Sequence, residues 1–127
     1  MTFRDTPAIF LQIADYVCEQ ILMDKWQVGE RLMSIRELAI FMEVNPNTVQ
    51  RAYDFLQQRS IISNRRGVGY FIEADALERI LLFRREQFFE HELPVMLKNI
   101  YLLGITMEEI QLRYQDYASQ AEKLQRI

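Results

Sequence analysis

The sequence has little of what metal centres and nucleophilic active sites use. It contains one cysteine, one histidine and four glycines in 127 residues. The single cysteine, Cys18, excludes an internal disulfide, and its place in a helical pattern favours a buried structural thiol over a nucleophile or sensor. His91 lies between Glu90 and Glu92, but a metal site needs further ligands from elsewhere. A surface histidine is the simpler interpretation.

Motifs for catalysis and for membrane insertion are also absent from the sequence. The glycines lie in turn-like stretches and none forms a phosphate-binding loop. No serine, cysteine or lysine has a general base at motif spacing. No apolar run reaches the ~18–20 residues that span a bilayer, and the N-terminus lacks a signal pattern. We therefore expect a cytoplasmic protein that is not an enzyme, with no cofactor, no metal and no membrane contact.

Charge of both signs is present but unevenly distributed. The net charge is −3 and the pI is about 5.2, which by itself disfavours nucleic acid as a partner. A phosphate backbone responds to the local field, however, and the segment from Asn45 to Ile72 is basic. Its charged residues are Arg51, Asp54, Arg59, Arg65 and Arg66.

Two short helical patterns occupy the middle of the chain, separated by a break at residues 43–46. Ser34, with Glu37 three residues later, is a capping-box sequence that opens the first. Its apolar face is Ile35, Leu38, Ala39 and Met42. Asn45 as a cap and Pro46 as the first helical residue open the second. Its apolar face is Val49, Ala52, Tyr53 and Leu56.

The second helix carries a polar face at its N-terminal end. This face consists of Asn47, Thr48, Gln50 and Arg51. Such side chains hydrogen-bond base edges and phosphates. Two short helices, a tight turn and this face predict a helix-turn-helix, and a pair of ordinary surface helices is the alternative.

A hairpin is predicted directly after these helices. Residues 61–63 and 70–72 have strand character, and residues 64–69 form the turn, with Arg65 and Arg66 beside Gly67 at its tip. Glycine lets the backbone come close to another surface. After a helix-turn-helix, the hairpin is expected to be a wing whose arginines reach phosphates or a minor groove. A solvated hairpin tip is the alternative.

An amphipathic helix is predicted before the helix-turn-helix, ending near Asp24 and packing beneath the motif. Its start is indicated by a cap and a helix-start proline, at Asp5, Thr6 and Pro7. In the turn that follows, Trp26 and Val28 are predicted to be apolar anchors. A ligand role for Trp26 is the alternative.

From Asp75 onward the pattern changes to long helices. The first must kink or restart at Pro94 and is ended by Gly104, and a capping box at Thr106 and Glu109 opens the last. Two helices cannot enclose a core for so many aromatic residues, so a homodimer is expected. The residues assigned to the dimer interface are Leu81, Phe88, Phe89, Leu97, Tyr101, Ile110, Tyr114 and Tyr117.

The predicted fold is mainly α with a small β-hairpin. Residues 1–74 are expected to form a winged helix-turn-helix DNA-binding domain. Residues 75–127 are expected to form a C-terminal two-helix dimerisation region that also offers a place for an effector.

Residues 8–72 resemble the winged helix-turn-helix domain of the GntR family of bacterial transcription regulators. The matching segments are IFLQIADYVCEQIL, WQVGERLMSIRELA, VNPNTVQRAY and RRGVGYFI, in the family's order and spacing. The segment NPNTVQRAY and the short C-terminal part are similar to the YtrA-like subfamily. Met33 stands where the family often has proline. Pro46 and Gln50 stand where many members carry DNA-contacting arginines, so contacts there are not carried over unaltered.

The resemblance implies a role for each matching residue. Arg36 would contact phosphate or guanine from the first helix of the motif, although pairing with Glu37 or Glu43 is the alternative. The second helix would face the major groove, with Arg51 on phosphate or base and the hairpin tip as the wing. The residues assigned to DNA binding are Ser34, Arg36, Asn45, Asn47, Thr48, Gln50, Arg51, Arg65, Arg66 and Gly67.

The expected function is sequence-specific regulation of transcription by a dimeric repressor on a pseudo-palindromic double-stranded operator. The resemblance to YtrA-like proteins implies control of a nearby operon, often one encoding an ABC transporter. An unknown small-molecule effector, if one exists, is expected between the tail helices or at the dimer interface. The alternative is a winged-helix protein–protein interaction module without specific DNA binding, which the net acidity favours.

Overall fold

The computed structural model describes residues 8–125, so the predicted start at Asp5, Thr6 and Pro7 lies outside the described residues. The chain divides into two compact units at Arg84. The helices are α1 Ile9–Leu22, α2 Ile35–Met42, α3 Pro46–Gln58, α4 Ala76–Gln87, α5 Leu93–Leu102 and α6 Met107–Gln125. The strands are β1 Ile62–Arg65 and β2 Gly69–Ile72. This mainly helical chain with one antiparallel hairpin confirms the predicted fold class.

One hydrophobic core holds the first unit together. The apolar faces predicted for α2 and α3 supply much of it, because Leu38 and Tyr53 are fully buried. α1 packs against α3, as predicted for the helix before the motif. The other buried residues are Ile13, Ala14, Val17, Cys18, Ile21, Leu32, Ala39, Val49, Ala52, Leu56, Ile61, Ile62, Ile72, Ala76 and Ile80.

Cys18 is fully buried in this core. Loss of hydration disfavours a thiolate there, and burial raises the pKa of Cys18 to about 12. The thiol is therefore neutral at ordinary pH, and its burial agrees with the predicted buried structural thiol.

The capping chemistry predicted for the helix-turn-helix is present. The Glu37 N–H donates to Ser34 Oγ at 3.0 Å, and the Ser34 N–H donates to Glu37 Oε1 at 3.1 Å. The hydrogen bond that the Ser34 backbone N–H donates to the Glu37 carboxylate, with a smaller contribution from the Ser34 side chain, holds the pKa of Glu37 below its usual value. Glu43, with a φ of 57°, ends α2 in the left-handed region, and Asn45 Oδ1 accepts the Asn47 N–H at 2.8 Å to open α3.

The wing strands are longer at the tip than predicted. Asn64 and Arg65 belong to β1 and Gly69 belongs to β2, with Arg65 paired to Gly69 and Ile62 paired to Ile72. Pairing continues until the chain must reverse, so the turn shortens to residues 66–68. Ile61 is not part of the strand, because its N–H donates to the Leu56 carbonyl at the end of α3.

A third segment joins the hairpin, which the sequence pattern did not predict. Arg31 forms a bridge with Phe71, and the Leu32 N–H donates to the Tyr70 carbonyl at 2.8 Å. The Ile72 N–H donates in turn to the Glu30 carbonyl at 3.1 Å. The residues before α2 therefore form a further edge of the wing sheet.

The turn between α1 and the wing edge has one apolar anchor. Trp26 packs edge-on against Tyr16, with ring centroids 5.9 Å apart. The prediction for Val28 was wrong, because 41% of it is exposed. Val28 immediately precedes Gly29, where a φ of 85° turns the chain. Of Trp26 and Val28, only Trp26 packs against the core. α1 also ends earlier than predicted, at Leu22.

The second unit has the predicted helix interruptions. A π-helical segment, Phe88–Glu92, precedes α5, and Pro94 lies in the first turn of α5, where no N–H is needed. Thr106 and Glu109 form a reciprocal capping box, with both N–H to oxygen distances at 3.2 Å. His91 is exposed. No helix within residues 8–125 has the length and hydropathy to cross a membrane.

Candidate nucleic-acid interface

The N-terminal end of α3 is an exposed polar surface. Asn45 caps the helix, Pro46 fills its first position, and the side chains of Asn47 and Gln50 are exposed, while Thr48 is half-buried. The helix dipole at this end favours an anion such as phosphate. The structure therefore brings the predicted groove-facing residues together on one helix end.

Gln50 connects α3 to the wing. Its Nε2 donates to Asp54 Oδ1 at 2.9 Å and lies 3.5 Å from the Tyr70 hydroxyl. Tyr70 packs edge-on against Tyr53, with ring centroids 4.8 Å apart. A Gln side chain pairs with adenine through both its amide oxygen and its amide nitrogen. Gln50 must therefore break its hydrogen bond to Asp54 before it can bind a base in this way. Tyr70 was missed from sequence, although alternation with buried Ile72 in β2 puts it on the side facing α3.

Arg51 points towards α1 and not towards the wing. Its guanidinium carbon lies 4.2 Å from the ring centroid of Phe10, which packs edge-on against Phe55 at 6.2 Å. Stacking fixes the plane of a guanidinium while leaving its edge N–H groups free to donate. Arg51 is thus an oriented cation beside the helix end, and Phe10 is a supporting residue that the sequence pattern did not reveal.

Arg36 is exposed on the first turn of α2. Within residues 8–125 it forms no ion pair with Glu37 or Glu43, the alternative raised from sequence. Ser34 and Asn45 have their side-chain oxygens engaged in the helix caps. Their assignment to DNA contacts stays a prediction, and capping is the role that the geometry gives them.

The wing presents its arginines along one hairpin. Arg65 stacks over the Phe71 ring, with its guanidinium carbon 4.1 Å from the ring centroid. Arg66 and Gly67 are exposed at the tip. Gly67 has a φ of 79°, a left-handed conformation in which a side chain would be strained. At the tip, the backbone of Gly67 is therefore exposed beside the guanidinium groups of Arg65 and Arg66.

The residues assigned to the dimer interface are largely open to solvent. Leu81, Phe89, Leu97, Tyr101, Tyr114 and Tyr117 are exposed, and Phe88 and Ile110 are half-buried. A different face of α4 is covered, because Ala76 and Ile80 are buried in the core of the first unit. Phe83 packs edge-on against Phe55 there, at 5.9 Å.

Comparison with known proteins places these features in a family. Residues 10–72 match the model described as bacterial regulatory proteins, gntR family. The uncharacterized HTH-type transcriptional regulator YhcF of Bacillus subtilis (strain 168) is 35% identical over 108 residues, which cover 85% of this chain and 88% of YhcF. The HTH-type transcriptional repressor YtrA of the same organism is 30% identical over 107 residues, covering 84% of this chain and 82% of YtrA.

A solved structure gives the same result. The GntR family transcriptional regulator from Listeria monocytogenes superposes with a TM-score of 0.72 at 33% identity, covering 90% of this chain and 98% of that chain. The resemblance to YtrA-like regulators is confirmed, and so is the prediction that the chain is not an enzyme. The chain belongs to the GntR family of DNA-binding bacterial transcription regulators.

Proposed function

We propose that this regulator acts in the cytoplasm as a homodimeric repressor that occupies a pseudo-palindromic operator overlapping a promoter. The observation that supports the proposal is the exposed N-terminal end of α3 beside an arginine-bearing wing, joined through Gln50 and Tyr70. A helix end of this kind enters the major groove, while a wing reaches the adjacent backbone or minor groove. Occupation of the promoter by the dimer would then exclude RNA polymerase sterically.

Base reading and phosphate binding are assigned to different side chains. Asn47 and Gln50 carry the amides that recognise base edges. Arg36, Arg51 and Arg65 are exposed cations and are assigned to phosphates. Arg66 and Gly67 are assigned to close approach at the wing tip. These assignments are proposals for each residue and are separable by mutation.

A homodimer is supported by the lack of any core in the second unit. Among described residues beyond Arg84 no side chain is buried, while Tyr101 is 85% exposed and Leu103 is 73% exposed. Helices of this length are marginal in water unless an apolar face is packed against a partner. A second copy is the simplest partner, and two-fold symmetry matches a palindromic operator.

The regulated target and the effector are proposed from resemblance. YtrA is named as a transcriptional repressor, and the resemblance to YtrA-like regulators implies that this chain controls a nearby operon, often one encoding an ABC transporter. An effector bound between tail helices would alter the spacing of the two recognition helices. Calorimetric titration with candidate metabolites that gives no heat, together with unchanged operator affinity, would contradict the effector proposal.

Arg51→Ala is expected to lower operator affinity by about 5- to 150-fold, because an oriented cation beside the recognition helix is lost. The measurement is a mobility-shift titration on DNA upstream of the protein's own operon, compared with random DNA of equal length. His91→Ala, at an exposed position in the second unit, is the control and should leave affinity unchanged. Equal effects of both substitutions would contradict the helix-turn-helix assignment.

The protein-interaction alternative predicts a different response to salt. DNA binding that neutralises several phosphates weakens steeply as salt rises, roughly in proportion to the number of phosphates neutralised. A folded dimer that shows no operator shift and no salt-dependent DNA binding would favour the protein-binding module.

A further inference from the structure

The wing sheet has a side that faces away from the buried core and that extends beyond the hairpin tip onto the segment before α2. The register places Phe71 opposite both Ser63 and Arg31, and Gly69 opposite Arg65. Directly opposed residues in antiparallel strands share a face, and so do residues two apart along a strand. We call this side the outer wing face, and it comprises Arg31, Ser63, Arg65, Gly69 and Phe71. The other face carries Ile62 and Ile72, which are buried.

Arg31 extends along this face towards the hairpin tip. Its backbone bridges Phe71, but its side chain lies over Gly69, two residues nearer the tip. A Cβ at Gly69 would lie 2.9 Å from Arg31 Nε and 3.7 Å from Arg31 Cζ. Gly69 also has a φ of 137°, which side chains rarely adopt. The glycine therefore leaves the space in which the Arg31 side chain crosses the wing.

Arg65 lies on the same face, stacked over Phe71 at 4.1 Å. Within residues 8–125 neither Arg31 nor Arg65 forms an ion pair. The Glu37 carboxylate, whose pKa is lowered first by hydrogen bonds from Ser34 and to a lesser extent by the charge of Arg31, already accepts the Ser34 N–H. The outer wing face thus presents two exposed guanidinium groups. That of Arg65 stacks on the Phe71 ring, and that of Arg31 lies over Gly69. Two oriented guanidinium groups suit the phosphates of a nucleic-acid backbone.

We propose that Arg31 and Arg65 on the outer wing face form a phosphate-binding contact that holds the DNA backbone beside the wing. Arg31 lies outside the helix-turn-helix and outside the hairpin, so it extends the DNA surface onto the segment that precedes α2. The proposal rests on the proposed operator binding. It commits to phosphate and not to base edges, because base reading is assigned to the N-terminal end of α3, and contacts made outside the recognition helix position the protein on the backbone.

The test is Arg31→Gln in the full chain, measured by fluorescence anisotropy on operator and random DNA over a series of salt concentrations. In the proposed homodimer the substitution removes one phosphate contact per protomer, so it is expected to weaken binding to both DNAs by a similar factor of about 100-fold. It should also reduce the slope of log affinity against log salt by about 1.8, which is about 0.9 for each protomer. Lys123→Gln removes one positive charge from an exposed position on α6, on the side opposite Tyr114 and Tyr117, and its affinity and slope should match the wild type.

Two further variants separate charge from geometry. Arg31→Lys keeps the charge but loses the planar fork, so it should retain the wild-type slope and recover part of the affinity. Gly69→Ala introduces the Cβ that meets Arg31, so it should weaken binding in the wild type and have a smaller effect in the Arg31→Gln background. Circular dichroism establishes that each variant is folded before its affinity is compared.

Failure of the inference and failure of the proposed function give different results. Specific, salt-dependent operator binding by the wild type with unchanged affinity and slope in Arg31→Gln would overturn the outer wing face and leave the operator proposal standing. A loss in Arg31→Gln confined to operator DNA would overturn the phosphate assignment, because phosphates are common to both DNAs. Absence of specific binding by the folded wild type would overturn both.

Discussion

Replacing Tyr114 and Tyr117 by glutamate is expected to convert the proposed dimer into monomers and to lower operator affinity by about 100-fold or more. The two tyrosines lie on one side of α6 and are 68% and 71% exposed in the single chain. Glutamate in an apolar interface loses hydration without gaining a partner, so the dimer is destabilised. A monomer then binds one half-site without the gain in affinity from simultaneous binding of two.

The measurements are sedimentation equilibrium for the oligomeric state and mobility shift for the operator. Gln115→Glu combined with Ser119→Glu is the matched control, because it adds two negative charges to the opposite side of α6. The control is expected to remain dimeric and to bind DNA. If the tyrosine variant remained dimeric at micromolar concentration, the assignment of α6 to the interface would be wrong.

Tyr53→Ala is expected to lower the free energy of unfolding of the first unit by about 3–5 kcal/mol. Tyr53 is fully buried, and its hydroxyl donates to the Met33 carbonyl at 2.6 Å. Its ring also supports Tyr70, which contacts Gln50. Burial raises the pKa of Tyr53, so the hydroxyl remains a neutral donor at ordinary pH. The variant therefore loses packing, a hydrogen bond and the support of the α3–wing junction together.

Tyr53→Phe separates these contributions. It retains the ring and should cost only about 0.5–1.5 kcal/mol, the net value of one hydrogen bond. Urea denaturation followed by the fluorescence of Trp26, the single tryptophan, reports on the first unit. If the Phe variant lost as much stability as the Ala variant, the hydrogen bond to Met33 and not the packing of the ring would dominate.

This hydrogen bond also bears on Met33, the position where the resemblance drawn from the sequence implies that the family often has proline. In the structure the Met33 carbonyl is held by Tyr53 and its side chain packs on the core. The segment that leads into α2 is therefore fixed by a contact from α3.

Features that depend on neighbours within one helical turn were readable from the sequence. The capping boxes at Ser34 and Thr106 each join residues three positions apart, and the cap at Asn45 joins residues two apart. The buried faces of α2 and α3 follow from helical periodicity alone. Local hydrogen bonds and side-chain spacing need no information about the rest of the chain, so the sequence predicted them.

The partners of the proposed DNA-binding side chains depended on tertiary packing. Gln50 meets Tyr70 twenty positions along the chain, Arg51 stacks on Phe10 of α1, and Arg31 bridges Phe71. Each pair is formed by the approach of elements that are distant in sequence. Periodicity says which face of a helix is polar, but it does not say which residue of another element lies against that face.

The limits of the domains also depend on long-range packing. The sequence predicts a boundary between residues 74 and 75, from the change to long helices, and that boundary stays a prediction. The compact units divide at Arg84 because Ala76, Ile80 and Phe83 in α4 cover the winged-helix core. The sequence by itself determined the helices, their caps and the hairpin, since these depend on short-range hydrogen bonds and side-chain alternation. Only the tertiary structure decided how far the wing sheet extends and which residues contact Arg31, Arg51 and Arg65. Burial and strand pairing join residues that are far apart in the sequence.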